Sequence, residues 1–131
     1  MEKALLHFKR NSIPCKLERM CSGHETLYIS AEGECSHAIT SAVYSFLRKN
    51  PKYFVDPVNR IGYRVWIRAD YEAAQRWHDM RRAASDLFFI ARSPDRYTRA
   101  QRASAEDLCR SLGLEPALCA AVGVDAVGME V

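Results

Sequence analysis

The sequence predicts an α+β fold: a small mixed or antiparallel sheet packed by two main helices, with a helical extension behind it. Three observations carry this expectation. Residues 52–56 (KYFVD) and 62–68 (GYRVWIR) are rich in aromatic and β-branched side chains, and Pro57-Val58-Asn59-Arg60 between them is turn-forming, so the two segments read as a hairpin. Ile39, Val43, Phe46 and Leu47 recur at i, i+4, i+7 and i+8, an apolar stripe on a helix that begins at Ser36 and ends near Asn50-Pro51. Ala73, Trp77, Met80, Ala84, Leu87 and Ala91 repeat that period on a longer helix, capped by Asp70 and stopped by Ser93-Pro94.

The remaining segments follow in order. Residues 3–8 (KALLHF) form a short apolar run expected to be a first strand. Residues 26–30 (TLYIS) are β-rich but lie between Gly-His and Ala-Glu-Gly, which leaves strand and crossing loop both open. In the second arm of the hairpin, alternation sends Tyr63, Val65 and Ile67 to one side and Arg64, Trp66 and Arg68 to the other. Ser104-Ala105-Glu106-Asp107 opens a further helix in capping-box style, Gly113 closes it, residues 116–122 make a last short helix, and residues 123–131 read as a frayed tail.

A chain of 131 residues fills one core but not two ordinary domains, so the expected organisation is a domain over 1–102 and a helical extension with tail over 103–131. With 48% hydrophobic and 27% charged residues the composition is that of a folded globular chain, which argues against disorder. The net charge of +3 permits an acidic partner without demanding one. Five cysteines form an odd set with no CxxC spacing and no signal peptide ahead of them, so neither metal nor cofactor is expected, and a reduced, cytoplasmic chain is. No apolar run approaches the ~20 residues that cross a bilayer, which argues against a membrane partner.

Chemistry concentrates in residues 21–47, CSGHETLYISAEGECSHAITSAVYSFL. Cys35 stands at the head of the amphipathic helix and His24 follows a glycine eleven positions earlier. A thiolate nucleophile needs a base and a field that lowers the thiol pKa, and a helix N-terminus supplies such a field. By spacing alone the two residues are more often unrelated than a dyad, and free cysteine is ordinary core material.

The wider pattern resembles the bacterial ribosomal-processing cysteine proteases (Prp), a family also seen among phage-encoded proteins. The resemblance rests on Ser22-Gly23-His24, on Gly33-Glu34 before Cys35 and the helix AITSAVYSFL, on Asn50 to Asp56 with Ile61 to Ile67, and on the long helix ending in Ser93-Pro94-Asp95-Arg96-Tyr97. It covers residues 3–99 and implies a homodimer. It also implies that His24 serves as base and Cys35 as nucleophile in cutting a protein substrate near its N-terminus, either a large-subunit ribosomal protein or a phage structural protein. In that acyl transfer, backbone N–H groups from Gly33 to Ser36 would hold the oxyanion, with Glu34 or Glu32 as the orienting acid.

Aligned through Ser41-Ala42, however, the helix puts His37 in the nucleophile's place, and Cys35 falls two residues and about 200° earlier. Two functions therefore stand side by side: a cysteine endopeptidase, and a catalytically inactive member of the same fold serving as a binding or host-interaction module of a mobile element.

Arg92, Arg96, Arg99 and Arg102, with Arg81 and Arg82, make an arginine-rich stretch suited to phosphate or an acidic partner, although Asp79, Asp86 and Asp95 fit a plain solvated face. Residues 105–123 have the rhythm of a helix-turn-helix. Their second helix carries no Arg, Lys, Asn or Gln to read a base, so a partner-binding or packing hairpin is expected instead. His7 and His78 carry no specific signal.

Overall fold

The computed structural model describes residues 1–128 and is α+β, an antiparallel four-stranded sheet with five helices. Its chain divides into two compact units, Met1–Glu72 and Ala73–Val131. The first holds α1 (Glu2–Arg10), β1 (Cys15–Arg19), β2 (Glu25–Ser30), α2 (Ser36–Lys49), β3 (Tyr53–Asn59) and β4 (Gly62–Ile67). The long α3 (Arg68–Arg92) begins there, and from Ala73 it belongs to the second unit with α4 (Arg99–Ser111), α5 (Pro116–Val122) and a 3₁₀ turn over Gly123–Ala126. The expected boundary at 102/103 falls within α4.

Residues 3–8 are helical, not a strand. Ala4 and Phe8 are fully buried while Leu6 is 45% exposed, which is i, i+4 burial rather than alternation. Alanine and leucine favour the helix, and Glu2 in its first turn with Lys9 and Arg10 in its last suit the dipole. The sheet order is β1-β2-β4-β3, all antiparallel. Residues 26–30, left open by sequence, form β2, flanked by β1 and β4. The edge strand β1 (CKLER) gives no strand signal of its own because Lys and Glu are depleted in strands; pairing with β2 creates it.

The hairpin forms as expected, but its turn shrinks to Arg60-Ile61. Pro57 and Val58 lie inside β3, where a missing N–H is tolerated because the strand is an edge, and the register shifts between Pro57 and Asn59. Alternation in β4 holds. Tyr63, Val65 and Ile67 face a core that contains Phe8, Leu27, Ile29, Ile39, Val43 and Phe46, with Leu47 packed at its margin. Phe46 stacks between Phe8 and Tyr53 at centroid distances of 5.0 and 5.3 Å. Burying each such side chain contributes about 1.5–3 kcal/mol.

The second unit has its own core of Trp77, Ala83, Ala84, Leu87, Cys109, Leu114, Cys119 and Val127. Asp70 lies in the first turn of α3 rather than ahead of it, because the helix starts at Arg68. α4 begins at Arg99, earlier than the expected Ser104. Its capping box joins Thr98 and Gln101, the Gln101 N–H donating to Thr98 Oγ1 at 3.1 Å. Gly113 does end it, at φ +81°, with the Leu114 N–H on the Cys109 carbonyl (2.9 Å) and the Gly113 N–H on that of Arg110 (3.0 Å). The expected tail starts later than 123: Val127 is 7% exposed, and Trp77 Nε1 donates to the Gly128 carbonyl at 2.9 Å. The rest of that expectation, 129–131, lies outside the described residues.

Candidate functional site

Cys35 is the N-cap residue of α2, and its carbonyl accepts the Ile39 N–H at 2.9 Å. Gly33 makes the preceding turn at φ +94°, a conformation side-chain-bearing residues rarely adopt, with the Ser36 N–H on its carbonyl at 3.2 Å. The Cys35 thiol is exposed in a cleft of about 540 Å³. Asn11, Ser12, Ile13 and Pro14 of the α1–β1 loop form one wall, Ala38, Ile39 and Ala42 of α2 the other, and Glu32 and Glu34 the rim beside the thiol. No imidazole lines this cleft. His37 is exposed on the first turn of α2 and does not line it either.

His24 sits in the β1–β2 turn, where the Met20 N–H donates to the His24 carbonyl at 2.9 Å and the Gly23 N–H to that of Met20 at 2.9 Å. Its ring is held from one side by a hydrogen bond. Nδ1 shares a hydrogen bond with Ser22 Oγ at 3.0 Å, and Nε2 faces Asp70 Oδ1 at 3.9 Å, beyond direct hydrogen-bond length. The Trp66 ring lies 6.4 Å away. Trp66 alternates with Val65 in β4, so it occupies the sheet face turned away from the core that α2 covers.

Cys35 and His24 are therefore not brought together. The six residues of β2, roughly 20 Å at ~3.3 Å each, run from one to the other. They also lie against opposite faces of the sheet. The hairpin register explains this: His24 opens β2 and the Cys35 loop leaves its far end, where Ser30 meets Pro14.

Ser22, His24 and Asp70 invite comparison with a Ser-His-Asp triad, but the polarity is reversed. In a catalytic triad the hydroxyl meets Nε2 and the carboxylate meets Nδ1. Here the hydroxyl is on Nδ1, and Ser22 is fully buried, so no substrate carbonyl reaches it. The cluster acts as a strut that fixes the turn. Ser22 stands two residues from His24 and was legible as part of the Ser-Gly-His step; Asp70, forty-six positions on, gave no such signal.

Of the arginines, Arg92 is committed internally. Its guanidinium donates to the carbonyls of Ala120 (2.7 Å) and Ala121 (3.2 Å) near the C-terminus of α5 and stacks 3.5 Å from the Phe88 ring centroid. Arg96, Arg99 and Arg102 are exposed. α5 turns Pro116 and Cys119 into the core of its unit. Burial, then the neighbouring Cys119 thiol, pushes the Cys109 thiol up to about 11, which marks it as a core residue and not a nucleophile.

Among the described residues no three His, Cys, Asp or Glu side chains gather as metal ligands, and no helix is long and apolar enough to cross a membrane. Comparison of the chain with family models, with curated proteins and with solved structures finds no match in any of the three.

Proposed function

We propose that this chain is a non-catalytic binding protein built on a Prp-like α+β unit, and that the cleft beside Cys35 takes a short segment of a protein partner. The observation that carries this reading is the separation of Cys35 from His24 along and across β2. A thiol without a base in reach lacks the partner that nucleophilic catalysis requires. The cleft instead combines apolar walls, Ile13, Ala38, Ile39 and Ala42, with the carboxylates of Glu32 and Glu34. Such a lining suits an apolar side chain flanked by a basic one.

A second reading, the cysteine endopeptidase that cuts a protein near its N-terminus, is favoured by one feature: Cys35 is exposed at the head of α2. The two readings differ in what His24 does to the thiol. Reaction of the protein with a thiol-directed probe across pH, followed at Cys35 by mass spectrometry, separates them. Binding without catalysis predicts a Cys35 that reacts at the same rate, with the same pH dependence, in the wild type and in His24→Ala. A fast reaction at Cys35 that is lost in His24→Ala would reverse the assignment in favour of the peptidase.

A further inference from the structure

The Cys35 cleft does not end at Ala42. A second cavity of about 210 Å³, lined by His7, Ser45, Phe46, Lys49 and Asn50, lies along the same side of α2 and shares Asn11 and Ala42 with the first. The lining positions 35, 38, 42, 45 and 49 of α2 step by three and four, so they form one stripe that runs the length of the helix. His7 and Asn11, also four apart, line it from α1. All of these residues belong to the first unit.

Charge is divided between the two ends. Glu32 and Glu34 are the charged residues of the first cavity, and Lys49 is the one Lys, Arg, Asp or Glu that lines the second. No ion pair among the described residues uses any of the three, so their charges are open to a ligand. Between the ends the lining is apolar, with Ile13, Ala38, Ile39 and Ala42. Two asparagines add a way to read a backbone. Each caps the C-terminus of its helix and donates Nδ2 to the carbonyl four residues earlier, Asn11 to His7 (2.7 Å) and Asn50 to Phe46 (2.8 Å). That bond fixes the amide and leaves Oδ1 and the second N–H of each without a partner among the described residues, one acceptor and one donor, the complement of a peptide unit.

On the premise that the Cys35 cleft binds a partner, as proposed above, we infer that the two cavities are one groove and that its occupant is an extended segment of a partner protein. The segment carries a basic residue at the Glu32 and Glu34 end, apolar residues between, and an acidic residue at Lys49. Its length follows from α2, whose 14 residues rise ~21 Å at ~1.5 Å each, a distance that about six residues cover at ~3.3 Å in extended form. Its conformation follows from the asparagines. An extended chain presents free N–H and C=O groups to them, whereas a helix has already paired its own internally. A segment basic at both ends sets one charge against Lys49, and a segment acidic at both ends sets one against Glu32 and Glu34, so the groove selects the bipolar sequence.

The test uses Cys35 as the reporter, since an occupant of the groove shields its thiol from iodoacetamide. Alkylation of Cys35 in the whole chain is followed by mass spectrometry with peptide mapping, with and without millimolar pools of hexapeptides blocked at both termini. Bipolar pools carry Arg at one end and Glu at the other, in both sequence orders, with mixed Ala, Leu and Val between; a further pool carries Arg at both ends. A bipolar pool is expected to slow alkylation of the wild type several-fold and the doubly basic pool to slow it less. Lys49→Glu, at an exposed position, is expected to reverse that preference, weakening the bipolar pool roughly fivefold or more and strengthening the doubly basic one. Glu32→Gln combined with Glu34→Gln is expected to weaken both. Protection that ignores Lys49→Glu, or that never distinguishes the pools, but is lost with Glu32→Gln and Glu34→Gln overturns the groove and leaves the cleft's binding role standing. Protection by no pool overturns both.

Discussion

The two ends of β2 hold the two residues a catalytic reading singles out, and they are built in opposite ways. At one end His24 is tucked against Trp66, with Ser22 hydrogen-bonded to Nδ1 and Asp70 3.9 Å from Nε2. At the other, Cys35 stands exposed in a cleft rimmed by Glu32 and Glu34. The histidine end is knitted into the fold, whereas the cysteine end leaves its thiol to solvent. Partnered polar groups stabilise a fold, and an exposed thiol at a helix start contributes little to it. A Cys and a His close in sequence thus end up in different settings, one packed into the fold and one exposed at the surface.

The largest effect comes from striking what both ends share. Leu27 is fully buried in the middle of β2, so Leu27→Ala should cost about 2–5 kcal/mol in denaturant unfolding and loosen both ends together. Survival of the cleft with only the histidine end lost would show that the two ends are less coupled than one strand implies. Next, Ser22→Ala leaves a buried imidazole nitrogen without its partner and should cost about 1–3 kcal/mol. A neutral outcome by the same measurement would remove the strut.

The contrast extends to the exposed Cys35 and the sealed Cys109. Because the folded state holds the Cys109 proton up to about 11 against an ordinary 9.0, the unfolded chain releases it first. The associated stability is therefore intact below pH ~9 and declines as pH rises from there towards about 11. Thermal melts over that window should show a decline that Cys109→Ala flattens and Cys35→Ser does not. The smallest effect is that of Cys35→Ser itself, within about 0.5 kcal/mol of wild type, as for other exposed substitutions. A loss approaching that of Ser22→Ala would mean that the cysteine end is structural too.

Much of the fold was legible because its signals are local. The stripe Ile39, Val43, Phe46 fixes α2, the alternation Tyr63, Val65, Ile67 fixes the buried face of β4, and Gly113 ends α4 through a left-handed conformation that glycine adopts freely. Residues 3–8 misled because Ala4, Leu5, Leu6 and Phe8 satisfy either period, and only the burial of Ala4 and Phe8 together decides for the helix. β1 was hidden because CKLER carries no strand propensity, and Thr98 was overlooked as the cap because Ser104 offered a second plausible start.

The candidate site was legible as residue types and illegible as geometry. Sequence alone determined that Cys35 heads an amphipathic helix, since the apolar period behind it sets where that helix begins, and that His24 follows a glycine turn. Tertiary structure alone decided that the two lie at opposite ends of β2 and against opposite faces of the sheet. Eleven residues of chain can close a loop or span a strand, and pairing with β1 and β4 holds residues 25–30 extended, which carries the imidazole away from the thiol.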